Sequence, residues 1–318
     1  MDHPEKKQIF LIVGPTASGK TSASIRVAKR LNAEIISADS IQVYKGLDIG
    51  SAKPSVEEMV GVPHHLLDFV DIDDSSYNVS SFRELACQKI REIHGRGKNV
   101  LIVGGTGLYV NSLVFPLNFS KAEPDFERRS ELESIEKENP GSLHKMLQGI
   151  DPASANRLHA NDTKRIIRAI EVFEQTGRTL TEHGGDFANE RGAEIEFDPV
   201  IAGITMDRAL LYERIEKRID IMIEQGLLDE VDDILDKGYS SDLPALQGLG
   251  YKQLIMFRKG IVSLDEAIDL IKRDTRRFAK RQISWFKRDT RIRWFKADEP
   301  GVDIADEISK YFISKLKI

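Results

Sequence analysis

Gln8-Ile-Phe-Leu-Ile-Val-Gly14-Pro-Thr-Ala-Ser-Gly19-Lys20-Thr21 is the stretch that decides the fold. The apolar run Ile9 to Val13 breaks at Gly14, and beyond Thr21 a helical pattern continues to Leu31. Residues 14–21 read G-x-x-x-x-G-K-[ST] just after a strand and just before a helix, the context this phosphate-binding motif requires. The glycines let backbone N–H groups turn inward around phosphate oxygens. Lys20 adds a point charge, the helix N-terminus adds its dipole, and the Thr21 hydroxyl is a ligand for Mg²⁺. Gly14, Pro15, Thr16, Ala17, Ser18, Gly19, Lys20 and Thr21 are therefore the candidate diphosphate- or nucleotide-binding residues, with Thr21 the candidate metal ligand. The expected fold class is α/β, a P-loop-type parallel sheet flanked by helices.

The flanking sequence has to say which phosphorylated molecule is held. Glu34 to Ser40 (EIISADS) is a short apolar strand ending in a polar turn. In a parallel α/β sheet its C-terminal end lies at the ligand-binding edge, so Asp39 is expected to face the phosphates; the plainer role is to cap its own turn. His64 and His65 are adjacent, point to opposite sides of a strand, and are expected to be structural rather than a metal pair. Ser81 to Ile93 carries a helical apolar stripe that includes Cys87, expected to be a buried structural thiol. Asn99 to Val103 is a buried strand followed by Gly104-Gly105-Thr106. In switch GTPases and motor ATPases an acid at this point helps hold Mg²⁺; here there is none, and Thr106 is the polar group presented.

From Pro116 to about Phe197 the α/β alternation stops and charged helical segments take over, expected at 125–138, 143–149, 152–158 and 162–176. This reads as a helical insertion domain at 116–196, between sheet halves at 1–115 and 197–318. Asn161-Asp162-Thr163 supplies N-cap chemistry for the last of these helices, whose start carries Lys164, Arg165 and Arg168. Such a cluster is either a solvated face or a phosphate contact. Gly184-Gly185 through Gly192 is expected to loop back. Val200 to Thr205 then returns to the sheet, and Asp207 opens a helix on which Arg214 and Arg218 share a face.

The region Lys272 to Lys296 reads as the last helical segment. It holds eleven Lys or Arg against two Asp, together with Trp285, Trp294, Phe278, Phe286 and Phe295. Basic residues track a phosphate backbone and aromatics stack on unpaired bases, although core packing also explains aromatics at helical spacing. A net charge of −5 argues against a wholly basic nucleic-acid protein but leaves room for such a local face. One cysteine in 318 residues allows no intrachain disulfide, and no Cys/His set has zinc spacing. The apolar run near the start is too short for a signal-peptide core or a membrane span, so no membrane partner and a cytoplasmic setting are expected.

The ordered set GPTASGKT (14–21), SADSIQVYKGLDIGSAKP (37–54), PHHLLD (63–68), VGGTGLY (103–109), GLGYKQ (248–253) and KRQISWFK (280–287) resembles the bacterial tRNA dimethylallyltransferases, or isopentenyltransferases, nearly end to end. The resemblance implies transfer of a dimethylallyl group from its diphosphate to the exocyclic amine of the adenine 3′ of the anticodon, tRNA position 37. Partners would be dimethylallyl diphosphate and a tRNA anticodon stem-loop, with Mg²⁺ as cofactor and a monomeric enzyme. It implies Asp39 as general base, with Lys20, Thr21 and the amides of Ala17 to Gly19 as the diphosphate cradle. Arg218 would clamp the diphosphate, with Arg214 beside it. The tRNA-contacting positions would be Asp39, Ser40, Ile41, Gln42, Thr106, Arg128, Thr163, Lys164, Arg165, Ile166, Ile167, Gln247, Gly248, Tyr251, Lys252, Lys280, Arg281, Gln282, Trp285 and Lys287. Eukaryotic members add a zinc finger, for which this sequence has no Cys/His set. Two other classes compete: a P-loop small-molecule kinase using Asp39 as base, and a nucleic-acid-binding NTPase. The first leaves the basic, aromatic tail idle, and the second needs the absent acid.

Overall fold

The computed structural model describes residues 6–117, 122, 124–183 and 195–317. These form two compact units, one of Met1–Val114 with Glu196–Ile318 and one of Phe115–Ile195.

The first unit is built on a six-stranded sheet of order β3-β2-β4-β1-β5-β6, with every neighbouring pair parallel. Its strands are β1 (Gln8–Val13), β2 (Ala33–Ser37), β3 (His64–His65), β4 (Asn99–Gly104), β5 (Asp198–Thr205) and β6 (Arg293–Lys296). In β1 Ile9 through Val13 are all inaccessible to solvent. A continuous apolar run with no alternation belongs to a parallel strand covered on both faces. The register places Val13 beside Gly104 and Gly203, and Ser37 beside Val103. The loops leaving β1, β2, β4 and β5 therefore emerge together at the C-terminal edge, where such sheets bind ligands. Gly14 turns there with φ +149°, and a Cβ on it would stand 2.5 Å from the Ile204 carbonyl oxygen of β5.

The unit's helices are α1 (Lys20–Leu31), α2 (Val56–Met59), α3 (Val79–Gly95), α4 (Gly107–Val114), and, after the second unit's α5 to α8, α9 (Arg208–Glu224), α10 (Leu227–Asp236), α11 (Tyr251–Arg258), α12 (Leu264–Phe286) and α13 (Ile304–Ile313). Asp207 caps α9 by accepting from Ala209 and Leu210 N–H, and Ser263 with Glu266 forms a capping box on α12. One core lies between β1, β2, β4 and β5, the inner face of α1, and Ala305, Ile308 and Phe312 of α13. A second gathers α9 to α12 around Tyr251 and Leu254. The region expected as helix through Lys296 ends instead at Phe286. Arg293–Lys296 is the edge strand β6, so Trp294 and Phe295 lie in the sheet. Phe286 and Phe295 are core residues, 2% and 9% exposed, and so are not stacking platforms for bases. His65 bonds Glu34 at 2.7 Å and His64 the Val62 carbonyl at 2.8 Å, the structural roles expected of them. Cys87 is half-buried, and burial pushes its thiol up.

The second unit packs α5 (Phe126–Glu138), α6 (Ser142–Ile150), α7 (Pro152–Arg157) and α8 (Thr163–Thr176) around Leu132, Leu143, Leu147, Ala155 and Ile170. Asp162 occupies the N-cap of α8, but its side chain makes no cap bond; it pairs with Arg165 at 2.9 Å instead. The loop expected across Gly184–Gly192 lies outside the described residues. Among the described residues, no helix is long and apolar enough to cross a membrane.

Candidate active site

Three turns at the sheet's C-terminal edge build the site. The loop after β1 takes a left-handed residue at Ala17 (φ 60°), a costly conformation for a side chain with a Cβ, and another at Gly19 before α1 begins at Lys20. Lys20 folds back so that its Nζ donates to the Pro15 carbonyl at 2.6 Å. The Thr21 hydroxyl, exposed in the first turn of α1, makes no hydrogen bond among the described residues. The Ser18 hydroxyl is buried and has no hydrogen-bond partner among the described residues.

The turn after β2 presents Asp39. Its Oδ1 accepts from the N–H groups of Ile41 (2.9 Å) and Gln42 (3.3 Å), so the carboxylate caps its own turn with one oxygen. Asp39 is close enough to the loop to favour the charged forms of Lys20 and Arg218. Capping and facing the phosphate loop are thus roles that one carboxylate fills together. The turn after β4 brings Thr106, whose Oγ1 accepts from Ser40 N–H at 3.1 Å, fastening the β4 turn to the β2 turn.

Helix α9 follows β5 directly and carries its two arginines to the same edge. A Cβ on Gly19 would stand 3.8 Å from Arg214 Nη2. Arg218 makes no hydrogen bond or ion pair among the described residues. Burial lowers its proton affinity, opposed by Asp39 and Glu58. Burial and then the Arg218 charge pull Lys20 down to about 7, with Asp39 opposing. Two half-buried, partly desolvated cations near each other without a full counter-charge are unfavourable by themselves, and a bound polyanion relieves both.

The remaining sequence-derived positions divide by where their side chains go. Gly248 packs on Ile41, placing the 247–250 turn beside the Asp39 turn. Gln247 is exposed and donates to Ser241 O at 3.0 Å, and Lys252 is exposed with no ion pair among the described residues. Tyr251 is a correction. Its ring is fully buried against Gly50 and its hydroxyl donates to Glu230 at 2.6 Å, so it is unavailable to an RNA base. Gln42 turns inward, donating to Ser51 and Ala52 carbonyls. On α12, Lys272 and Arg276 pair with Asp220 and Glu216 of α9, and Arg273 and Arg277 with Asp274. Lys280, Arg281 and Lys287 are exposed and pair with no acid among the described residues. Trp285 is half-exposed against Gly107, where a Cβ would overlap its ring, and Arg288 stands over it at 5.9 Å. Gln282 is a second correction: only 6% exposed, it lies beneath this surface and not on it.

In the second unit Lys164 and Arg165 are exposed at the start of α8, beside half-buried Thr163. Ile166 and Ile167, 1% and 3% exposed, belong to that unit's core, a third correction: helical periodicity turns them away from the face their neighbours present. Arg128 bridges α5 to α8 through Glu174 (2.7 and 3.0 Å) and also pairs with Glu131 of its own helix (2.8 Å).

Sequence reasoning missed Glu230 and Lys53. Glu230 of α10 accepts from the backbone N–H groups of Asp48, Ile49 and Gly50 at 2.7–3.1 Å, holding the loop after the Asp39 turn. Lys53 ties the same loop to Tyr44 O, Asp48 and Asp68. Nothing local marks Glu230, whose backbone partners lie about 180 positions earlier in the chain.

With this geometry in place, the comparisons with known proteins agree. A model of the IPP transferase family matches residues 42–289. The tRNA dimethylallyltransferase of Carboxydothermus hydrogenoformans is 47% identical over 97% of each chain, and that of Acetivibrio thermocellus 47% over 92% of each. The crystal structure of the full-length tRNA isopentenylpyrophosphate transferase of Bacillus halodurans superposes with a TM-score of 0.71 at 42% identity, covering 98% of this chain and 96% of that one. A eukaryotic dimethylallyltransferase captured acting on tRNA gives a TM-score of 0.80 at 29% identity, covering 98% and 81%. The phosphate loop, the acid-free end of β4 and the cationic helix faces thus belong to a chain that is a member of the IPP transferase family.

Proposed function

We propose that this protein transfers a dimethylallyl group from dimethylallyl diphosphate to the exocyclic amine of the adenosine at tRNA position 37, releasing diphosphate. The observation that carries the reading is the meeting of Asp39, Lys20 and Arg218 at a phosphate loop with no acid at the end of β4. The strand-end acid that helps hold Mg²⁺ in nucleotide-hydrolysing P-loop proteins is replaced there by Gly-Gly-Thr, whereas a cradle for a leaving diphosphate and a base are provided for.

The allylic carbon–oxygen bond breaks as its electron pair moves onto the diphosphate. Lys20, Arg218 and the loop amides stabilise that developing charge in a partly dry site. The adenine nitrogen forms the new bond to carbon and gives up a proton to Asp39, whose Oδ2 makes no hydrogen bond among the described residues. General-base help of this kind is typically about 10²–10⁴-fold, needed because the amine lone pair is delocalised into the ring. The donor set also fits Mg²⁺, which takes few protein ligands and several phosphate or water oxygens: the Thr21 hydroxyl is exposed and uncommitted. When bound, the ion would add Lewis-acid neutralisation of the leaving oxygens.

The target base has to leave the anticodon-loop stack, which costs a few kcal/mol. Phosphate contacts from Lys252, Lys280, Arg281 and Lys287, with Lys164 and Arg165 of the second unit, offset that cost, while Ser40, Ile41, Thr106, Gln247 and Gly248 line the base's approach. The enzyme acts as a monomer in the cytoplasm. Incubation with dimethylallyl diphosphate and unmodified tRNA should yield a prenylated adenosine in the nuclease digest. Transfer of the ATP γ-phosphate to a hydroxyl acceptor with no prenylated product would replace this reading by a kinase.

A further inference from the structure

The inner stripe of α12 is apolar at Ala267, Ile271, Ala279 and Phe286, and polar at one buried position, Gln282. Both ends of its amide are used. Oε1 accepts from Thr16 N–H of the phosphate loop at 2.8 Å, and Nε2 donates to Gly105 O at the end of β4 at 2.9 Å. The fit is tight, since a Cβ on Gly105 would collide with Nε2. Gly105 precedes Thr106, whose hydroxyl holds Ser40 next to Asp39. One side chain thus sets the spacing between the loop that would grip the diphosphate and the turn that carries the base. It does so from the helix whose outer side exposes Lys280 and Arg281 and whose C-cap is the exposed Lys287.

We infer that Gln282 is a positioning residue, bridging the phosphate loop and the β4 turn so that leaving group and acceptor base meet, and that it makes no contact with RNA. The inference rests on the function proposed above, but its test does not depend on turnover alone. An apolar side chain here leaves a part-buried donor and a buried acceptor unmatched, which is more costly than the loss of an average hydrogen bond. The loop and the turn then shift apart, and misplacement by about 1 Å costs about 10² in rate.

Gln282→Met and Gln282→Glu separate the roles. For Q282M, affinity for inorganic pyrophosphate should fall about tenfold, the value of one lost buried hydrogen bond at about 1.4 kcal/mol. Prenyl transfer should fall about 10²-fold, while the dissociation constant for an anticodon stem-loop RNA stays unchanged. Q282E keeps an acceptor for Thr16 N–H but sets an oxygen against Gly105 O, and only its protonated form can donate there. Its turnover relative to the unsubstituted enzyme should therefore rise as pH falls. Weakened RNA binding in Q282M at unchanged pyrophosphate affinity would make Gln282 an RNA contact and overturn the inference. Unchanged pyrophosphate affinity with unchanged turnover would overturn it too, as would a flat Q282E ratio should Q282M fail to fold. A chain that prenylates no RNA would still reveal the bridge through pyrophosphate binding, so the two readings fail separately.

Discussion

Two charge clusters are built on opposite principles. In the second unit Glu171, 1% exposed, is fully answered: Arg129 and Arg168 pair with it at 2.6–2.9 Å, and Asp125 N–H donates to it at 2.9 Å. Those hydrogen bonds outweigh burial and hold its carboxyl below the usual range. At the phosphate loop Lys20 and Arg218 are half-buried near each other with no acid at ion-pair distance among the described residues, and desolvation lowers both. One cluster is electrostatically complete and serves to hold helices together. The other is left one polyanion short, and that deficit marks a binding site better than charge count does.

The contrast can be broken in several ways. Asp39→Ala removes the proposed base and should lower turnover by about 10²–10⁴ with RNA affinity largely intact; collapse of RNA binding alone would reassign Asp39. Arg218→Leu should lower kcat by about 10²–10³, and unlike most losses of a paired, half-buried arginine it should not lower the denaturation midpoint, because no partner is stranded. Glu171→Ala should do the reverse, costing about 1–3 kcal/mol in chemical denaturation by stranding the Arg129 guanidinium and the Asp125 N–H, with pyrophosphate affinity unchanged. The arginines are about one-third exposed, which keeps that figure below the value for a fully dry pair.

Smaller effects sharpen the picture. Lys280→Ala with Arg281→Ala should weaken RNA binding and flatten its log–log salt slope by about 1.4, two contacts at about 0.7 each on a single strand. Lys20 supplies a pH test. Its ammonium persists in the unfolded chain up to its ordinary value near 10.5, but in the folded protein only below about 7. Between these limits the unfolded chain binds the extra proton, so this group's contribution to stability rises with pH across that window. Binding of pyrophosphate restores the ammonium. Calorimetry at pH 8 in buffers of differing ionisation enthalpy should show proton uptake that Lys20→Met lacks.

How far the sequence reveals this depends on distance along the chain. The strand–loop–helix of residues 8–31, the strands at β2, β4 and β5, and the helix carrying Arg214 and Arg218 are written locally, in apolar runs and caps. Edge strand β6 is not: Arg-Trp-Phe-Lys has no distinguishing pattern, and only pairing with Ala202–Thr205 makes it a strand. The site shows the same limit. Motif resemblance marks stretches, whereas the fold decides which side chains of a stretch face out. Lys280 and Arg281 face solvent while Gln282 faces the phosphate loop, and Lys164 and Arg165 face out while Ile166 and Ile167 close the core. The 279–282–286 spacing on α12 carried that information for Gln282, outweighed by its place inside KRQISWFK.

Strand β6 and α13 close the wall over α1: Phe312 meets Phe10 with ring centroids 5.0 Å apart, and Asp303 and Asp306 clasp Arg26 and Arg30. Every residue of the phosphate loop is thus translated long before the segment that seals its supporting helix. A nascent chain halted before Arg293 would expose the oily flank of α1 to chaperones and proteases, so a ribosome that stalls late leaves a discarded polypeptide instead of a half-competent catalyst.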